Sequence, residues 1–259
     1  MKRKILIFIC ILFLLYFCYD LYLIYFKTAN YDYLQDYIIT PQVEETIQDF
    51  KTNNESAEPI VEEKTLELYQ IAYDWNNLYN LNNDIKGWLY INDKINYPVL
   101  QASDNNYYLR KNFLKEYDIN GSLFFDYKVN DDSKNKVIHG HNMGSTKDIM
   151  FSLLDDYFED IEYINENPYI FYTPAYGNTE KYELAYIIHL NIKDIEKVNY
   201  LKQNFVSEKE FNEWLEIMSS NSYYSNNINI NFNDNLLTLS TCDTRFYTNG
   251  RYVLIFKQI

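Results

Sequence analysis

Leu236-Leu-Thr-Leu-Ser-Thr-Cys242 decides how the last part of this 259-residue chain is organised, together with Arg251-Tyr-Val-Leu-Ile-Phe256, which follows after a polar turn. Both runs are rich in apolar and β-branched residues, which predicts two strands joined as a hairpin. Two-residue alternation puts Thr238, Ser240 and Cys242 on one face and the leucines on the other. Because the leucine face belongs in a core, Cys242 is predicted to face a polar surface or groove.

Short strand-like runs recur along the preceding chain and predict a mainly β fold. Helical spacing of apolar residues instead predicts helices over 61–81, 149–164 and 209–218. Seven or eight short strands with a few inserted helices are typical of a closed or nearly closed β-barrel. The predicted strands are Gly87–Ile91, Ile95–Leu100, Ser122–Asp126, Lys136–His139, Tyr169–Tyr172, Tyr182–Ile192, Leu236–Cys242 and Arg251–Phe256.

The N-terminus predicts a membrane anchor. A basic stretch at 1–4 precedes an apolar run at 5–26 in which only Asp20 is charged, and a helix of that length spans roughly 33 Å, close to the thickness of a bilayer's hydrocarbon core. The basic end is expected in the cytoplasm and the remainder outside the cell. A cleaved signal peptide is the alternative, but the run is long for one and no A-x-A-like site follows. The chain therefore divides into a cytoplasmic tail, a single-pass signal anchor, a polar stalk over 27–60 and an extracytoplasmic domain over 61–259.

Charge and cysteine usage narrow the function. The net charge is −14 and no basic stripe interrupts it, so a nucleic-acid backbone would be repelled. Cys10 and Cys18 lie in the predicted anchor, which leaves Cys242 without an obvious disulfide partner. An unpaired cysteine outside the cytoplasm is either an accident or a reactive thiol.

A reactive thiol needs a partner that transfers protons, and the chain has three histidines. His139 and His141 end a predicted strand and enter a loop, where functional groups are often placed, whereas His189 lies inside an apolar strand and fits a structural role. Two histidines and one distant cysteine make an incomplete zinc site, and no C-x-x-C or H-E-x-x-H motif accompanies them. We therefore predict no metal and no other cofactor.

Hairpin pairing would bring Arg251, at the start of the last strand, close to Cys242. There its guanidinium would hold a peptide carbonyl or the oxyanion that forms when the thiolate attacks. Arg245 is the alternative, nearer in sequence but on the connection between the strands. The carboxylate of Asp243 would raise the pKa of the thiol unless it points away or pairs with an arginine.

These residues carry a family resemblance. Thr238-Leu-Ser-Thr-Cys242 resembles the T-L-x-T-C signature of sortases, the membrane-anchored cysteine transpeptidases of Gram-positive bacteria, and Gly140-His141-Asn142 resembles their strand-end histidine motif. Arg251, followed by an apolar strand, resembles their essential arginine. Further stretches follow the pattern of class B, so that the resemblance covers about Leu66 to Ile259. These stretches are Asp84-Ile-Lys-Gly-Trp88, Ile95-Asn-Tyr-Pro-Val-Leu100, Asn105-Asn-Tyr-Tyr-Leu109 and Gly121-Ser-Leu-Phe-Phe-Asp126.

The resemblance implies an eight-stranded sortase-type β-barrel and a two-step reaction. The Cys242 thiolate would attack the carbonyl after the threonine of a sorting signal in a secreted protein and form a thioacyl-enzyme. His141 would protonate the leaving amine and then deprotonate the incoming amine of peptidoglycan or its lipid-linked precursor, while Arg251 would stabilise the oxyanion. The residues that match the lining of the substrate groove by position are Asn105, Leu109 and Ser240.

Other functions stay open. His139 stands where tyrosine is common in class B, so the surroundings of His141 are expected to differ from the family pattern. A purely hydrolytic cysteine peptidase or a pilin-polymerising enzyme would use the same thioacyl chemistry, and acyl transfer to an added amine separates transfer from hydrolysis. A non-catalytic barrel acting as a surface binding module would not need Cys242 at all.

Overall fold

The structure is a computed structural model, and the residues that it describes are 10–19, 32–39, 72–92, 94–144, 149–243 and 249–259. Of the predicted anchor, residues 10–19 form a helix with exposed side chains, and the remainder of 5–26 lies outside the described residues. No helix in the described part of the chain has the length and apolar character needed to cross a membrane. The anchor stays a prediction.

A closed barrel is the centre of the molecule, as the sequence predicts. Eight strands of the described chain follow the order β11-β10-β6-β5-β4-β3-β7-β8, and β8 pairs back with β11 to close the ring, while β9 adds to β8. The strands are β1 (Ile38–Ile39), β2 (Ala72–Tyr73), β3 (Ile85–Ile91), β4 (Ile95–Leu100), β5 (Leu123–Phe125), β6 (Asn135–His139), β7 (Tyr169–Pro174), β8 (Glu180–Asn191), β9 (Ser222–Ser225), β10 (Leu236–Asp243) and β11 (Gly250–Gln258).

Helices and short 3₁₀ turns cover the barrel. The N-cap of α5 (Glu208–Asn221) is Ser207, whose hydroxyl accepts from the Glu210 amide at 3.2 Å. The buried side chains of α5 recur at the three- and four-residue spacing of one helix face. In chain order the helices are α1 (Trp75–Leu81), α2 (Leu154–Glu159), α3 (Ile161–Glu166), α4 (Ile195–Val198) and α5 (Glu208–Asn221), and the 3₁₀ turns are Asp32–Tyr37, Tyr107–Arg110, Phe151–Leu153 and Ile192–Asp194.

Two of the predicted helices differ from the structure. The helix predicted over 61–81 is present from Trp75 onwards, whereas Ala72–Tyr73 is the strand β2 and 61–71 lies outside the described residues. The helix predicted over 149–164 is interrupted because Asp160 ends α2 and caps α3, its carboxylate accepting from the Glu162 amide at 2.8 Å. An aspartate that bonds the backbone locally favours a helix start over a helix interior.

Residues 32–39, within the segment predicted to be a stalk, pack against the barrel. β1 pairs with β2 in antiparallel register, and Leu34 is only 1% exposed, in a cluster with Trp88 and Tyr108. This short piece therefore belongs to the folded domain, because one buried leucine and a strand pair attach it. The rest of 27–60 lies outside the described residues.

The barrel strands bury side chains on both faces, which positions the site at their ends. Inward-facing residues such as Leu239 and Leu254 form the barrel core. The outer face of β6, β8, β10 and β11 is covered by α4 and α5, with Trp214 of α5 in the same cluster as Val253. Because both faces are covered, groups of this sheet reach a ligand mainly at the edge where the strands end.

Candidate active site

The β10–β11 hairpin sets Cys242 directly opposite Arg251, in the antiparallel pairing that the sequence predicts. Arg251 is the second residue of β11, is half-buried, and donates from Nη1 to the Gly250 carbonyl at 3.0 Å. Arg245, the alternative arginine, lies outside the described residues. The register thus brings the backbone of the candidate nucleophile next to that of the candidate oxyanion-binding arginine.

Parallel pairing brings His141 to the same end of the sheet. β6 runs alongside β10 in the same direction, with His139 opposite Ser240, and the Gly140 amide donates to the Ser240 carbonyl at 3.2 Å. His141 and Cys242 each follow this pair by two residues along parallel neighbours. The backbones that carry the histidine, the cysteine and the arginine therefore converge at one edge of the barrel.

Gly140 and the loop that follows fix the backbone of His141. A Cβ added to Gly140 would lie 2.5 Å from Cδ2 of Leu123 and 2.7 Å from Cδ2 of Phe151, so only glycine fits there without displacing the core. The Phe151 amide donates to the His141 carbonyl at 2.9 Å, and Asn142 donates to the carboxylate of Asp155 at 2.7 Å. Contacts before and after His141 therefore fix its backbone where the chain leaves β6.

The His141 imidazole contacts two groups from the 3₁₀ turn Tyr107–Arg110. Its Nε2 lies 2.8 Å from the Leu109 carbonyl oxygen and 2.8 Å from Nη1 of Arg110. Burial lowers the pKa of His141 and the nearby Arg110 charge lowers it further, while the hydrogen bond to Leu109 opposes both; the net pKa lies below its usual value. The imidazole is therefore mainly neutral at pH 7.

Asp126 is the acceptor for four donors, one of which is His139, two residues before His141. It is 3% exposed; its Oδ2 accepts from Asn105 at 2.8 Å and contacts Nε2 of His139 at 3.2 Å, and its Oδ1 accepts from Gln203 at 2.9 Å and from the Lys128 amide at 3.0 Å. Burial alone would raise the pKa of this carboxyl, but the hydrogen bonds, that of His139 first, hold it below its usual range. Asp126 thus joins the strand that ends in His139 to the segment that carries Asn105 and Leu109.

The three predicted groove residues have different surroundings. Asn105 uses its amide on Asp126 and accepts from the Tyr127 amide at 2.9 Å. Leu109 is half-buried beside the cluster of Trp88 and bonds His141 through its carbonyl. Ser240 is 3% exposed.

The polar face of β10 is buried at two of its positions, contrary to the expectation of a polar surface or groove. The hydroxyl of Ser240 lies 2.9 Å from that of Tyr200, and Thr238 donates to Oδ1 of Asn135 at 2.6 Å. Satisfied hydroxyls can be buried at little cost, so alternation of polar and apolar residues did not identify a solvent-facing side here.

His189 lies in β8, as predicted for a structural histidine. Its ring packs edge-on against Phe158, with centroids 5.5 Å apart. Within the described residues, no group of three or more histidine, cysteine, aspartate or glutamate side chains could hold a metal ion.

Comparison with known proteins identifies the family. Residues 91–258 match the family model described as Sortase domain. The chain belongs to the sortase family. Sortases are cysteine transpeptidases of the cell surface, and the predicted resemblance and barrel are both confirmed.

The relatives place this sortase in class B. It is 33% identical over 194 residues to Sortase B of Listeria monocytogenes, covering 73% of this chain and 76% of that protein. The crystal structure of Clostridium perfringens sortase B is 34% identical, with a TM-score of 0.65 and coverage of 71% of this chain and 98% of that chain. A Staphylococcus aureus sortase B–substrate complex is 28% identical, with a TM-score of 0.64 and coverage of 71% and 84%.

Sequence reasoning missed two residues of this site. Asp126 stood within a quoted class B stretch, but no local pattern showed that four donors would meet there. Arg110 follows the groove residue Leu109 directly, yet its partner His141 is 31 positions away. Neither Asp126 nor Arg110 could be identified without knowing which distant segments the barrel brings together.

Proposed function

We propose that this chain cleaves a C-terminal sorting signal after threonine and transfers the acyl group to a cell-wall amine. The observation that carries the proposal is the register of β6, β10 and β11. It pairs Cys242 with Arg251, and it brings the end of β6, which leads into His141, to the same edge of the sheet. A nucleophile, a proton carrier and a cation at one edge are the groups that acyl transfer requires. The Staphylococcus aureus relative has been solved as a substrate complex, which supports a peptide-binding role.

The first half of the reaction forms the thioacyl-enzyme. The thiol of Cys242 gives its proton to His141, the thiolate attacks the threonine carbonyl, a carbon–sulfur bond forms, and the resulting oxyanion is held by the guanidinium of Arg251. The carbon–nitrogen bond then breaks as His141 donates its proton to the departing amine. The C-terminal fragment leaves, and the threonine carbonyl remains bound to sulfur.

The second half transfers the acyl group. An amine of peptidoglycan or of its lipid-linked precursor attacks the thioester, His141 removes its proton, and the thiolate of Cys242 departs. The substrate groove in this proposal is lined by Asn105 and Leu109. Ser240, the third predicted groove residue, is buried and bonds Tyr200. The reaction takes place outside the cell, with the N-terminal segment as the anchor in the membrane.

Peptide cleavage in the presence of candidate amines tests this proposal. The full chain is incubated with a panel of threonine-containing sorting peptides and with cross-bridge, stem-peptide and lysine amines, and products are identified by mass spectrometry. We expect a peptide cut after threonine and joined to an added cell-wall amine. Cleavage without joining indicates the hydrolytic peptidase, and joining to a pilin lysine alone indicates pilus assembly. Neither cleavage nor adduct with any peptide would favour the non-catalytic binding module.

Arg251→Ala is expected to lower kcat/KM for transfer by about 10²- to 10³-fold, because the developing oxyanion loses a charged donor. Arg245→Ala is the matched comparison, since it removes the same charge from the neighbouring connection, and we expect it to retain most activity. Thermal unfolding of both variants checks that the fold is kept. A large loss in Arg245→Ala with little in Arg251→Ala would transfer the role to Arg245.

A further inference from the structure

Nε2 of His141 has two close neighbours that require opposite protonation. The carbonyl oxygen of Leu109, at 2.8 Å, can only accept and therefore needs a proton on Nε2. The guanidinium of Arg110, also at 2.8 Å, can only donate and therefore needs the lone pair of Nε2. The two hydrogen bonds cannot form at once, so competition between these neighbours decides where the imidazole carries its proton.

Backbone carbonyls hold the Arg110 guanidinium in this place although the side chain is exposed. Nη1 donates to the Ile119 carbonyl at 2.8 Å and lies 3.2 Å from the Leu109 carbonyl. One guanidinium nitrogen carries two hydrogens, so with Ile119 taking one, the other serves either Leu109 or His141. When Arg110 donates to His141 it therefore gives up the very carbonyl to which His141 would otherwise donate.

We propose that Arg110 is a positioning residue that selects the neutral His141 imidazole whose unprotonated Nε2 accepts from Arg110, and so sets the pH range in which His141 transfers protons. Nη1 of Arg110 lies closer to Nε2 of His141, at 2.8 Å, than to the Leu109 oxygen, at 3.2 Å, and this carries the proposed tautomer. Its consequence for catalysis rests on the proposed function. Arginine stays charged at all relevant pH values, so this influence does not vanish as the pH is raised.

The other charged groups around His141 have partners of their own or stay unchanged when Arg110 is replaced. Asp126 pairs with His139, and Asp155 accepts from Asn142, the residue after His141. The neighbouring strand ends of β10 and β11 carry Cys242, Asp243 and Arg251, and these residues stay the same in every Arg110 variant. Differences in the His141 titration between wild type and the Arg110 variants therefore report the effect of Arg110 itself. When the Arg110 guanidinium is removed, the Leu109 carbonyl remains and favours a protonated Nε2.

Imidazole ¹⁵N NMR of the full chain tests the proposal without any need for activity. The His141 signals are assigned by comparison with His141→Gln, and spectra are recorded across pH for wild type and Arg110→Gln. We expect an unprotonated Nε2 at neutral pH in wild type, and in Arg110→Gln a proton on Nε2 with an imidazolium-to-imidazole ratio raised by about 3- to 10-fold at fixed pH. Unchanged ¹⁵N shifts and an unchanged titration midpoint in Arg110→Gln would overturn the proposal.

Two further variants separate this role from general electrostatics and folding. Lys111→Gln removes the adjacent cation, whose Nζ donates to the Lys115 carbonyl at 3.0 Å and lies 5.1 Å from the centre of the Tyr107 ring, and it should leave the His141 titration unchanged. Arg110→Lys keeps the charge without the planar fork and should restore the midpoint in part. An equal shift in Lys111→Gln would show that any nearby charge suffices, against the proposal.

The pH profile of acyl transfer gives the catalytic consequence. In Arg110→Gln the limb of the kcat/KM profile that reports His141 should move to higher pH, while Lys111→Gln keeps the wild-type profile. If wild type shows no acyl transfer, the proposed function fails while the NMR titration still decides the role of Arg110. If transfer is present and the NMR titration and the pH profile are both unchanged, the role of Arg110 fails while the function stands.

Discussion

Replacing Cys242 with alanine is expected to abolish cleavage and transfer of the sorting peptide, a loss of about 10⁴-fold or more in kcat/KM. The thioacyl intermediate forms on sulfur, and an alanine methyl group offers neither a nucleophile nor a leaving group. Binding of the peptide should persist, because the groove and Arg251 remain. Product formation measured by liquid chromatography and mass spectrometry, with peptide binding measured separately, checks both expectations.

The other cysteines of the chain provide the matched control. Cys10 and Cys18 are exposed in the helical residues 10–19, which contain none of the predicted site residues, so their joint replacement by alanine should leave transfer at the wild-type rate. A thiol-reactive sorting-peptide analogue should label that double variant and wild type, but not Cys242→Ala. Full transfer activity in Cys242→Ala would end the cysteine mechanism and favour the non-catalytic binding module.

Asp126→Ala is expected to lower the free energy of unfolding at pH 7 by about 3 to 5 kcal/mol, since several buried donors lose their acceptor together. The donors are the side chains of His139, Asn105 and Gln203 and the amide of Lys128. Urea unfolding of the full chain measures the change. Asp132→Asn, which removes a carboxylate from the exposed neighbouring loop, should change stability little. A loss below that of Asp132→Asn would contradict a structural role for Asp126.

The lowered pKa of Asp126 predicts that acid destabilises the folded protein. Its pKa in the folded state lies below that of an unfolded aspartate, so the unfolded chain binds more protons and acid favours unfolding. Its stabilisation is complete above the unfolded value of about 3.9 and is lost as the pH falls further, through the folded value. The stability gap between wild type and Asp126→Asn should therefore narrow below about pH 4. A gap that widens on acidification would disprove this assignment.

Local sequence patterns were sufficient for most of the barrel. Strand-forming runs bounded by polar turns predicted all eight barrel strands to within a few residues, and the helix predicted over 209–218 lies within α5. Such signals survive because a strand or a helix face is specified by neighbours two to four positions apart. The helix predicted over 149–164 differs in two details: Phe151–Leu153 is a 3₁₀ turn, and Asp160 ends one helix and caps the next.

Those local sequence patterns did not predict the contacts between segments that are distant in the chain. Ser240 was expected on a polar face and is instead buried against Tyr200, 40 positions earlier. Asp126 meets Gln203 across 77 positions. The sequence does not show whether a polar side chain forms its hydrogen bonds with water or with a buried partner.

The sequence alone determined the strands of the barrel, the hairpin that pairs Cys242 with Arg251, and the resemblance that predicts His141 as the proton carrier, because these follow from short-range alternation and spacing. Only the tertiary structure decided what surrounds them: the carboxylate of Asp126 that contacts His139, and the competition of Leu109 and Arg110 for Nε2 of His141. The physical reason is that protonation and burial depend on groups within a few ångströms. The closed barrel alone determines which distant segments come that close.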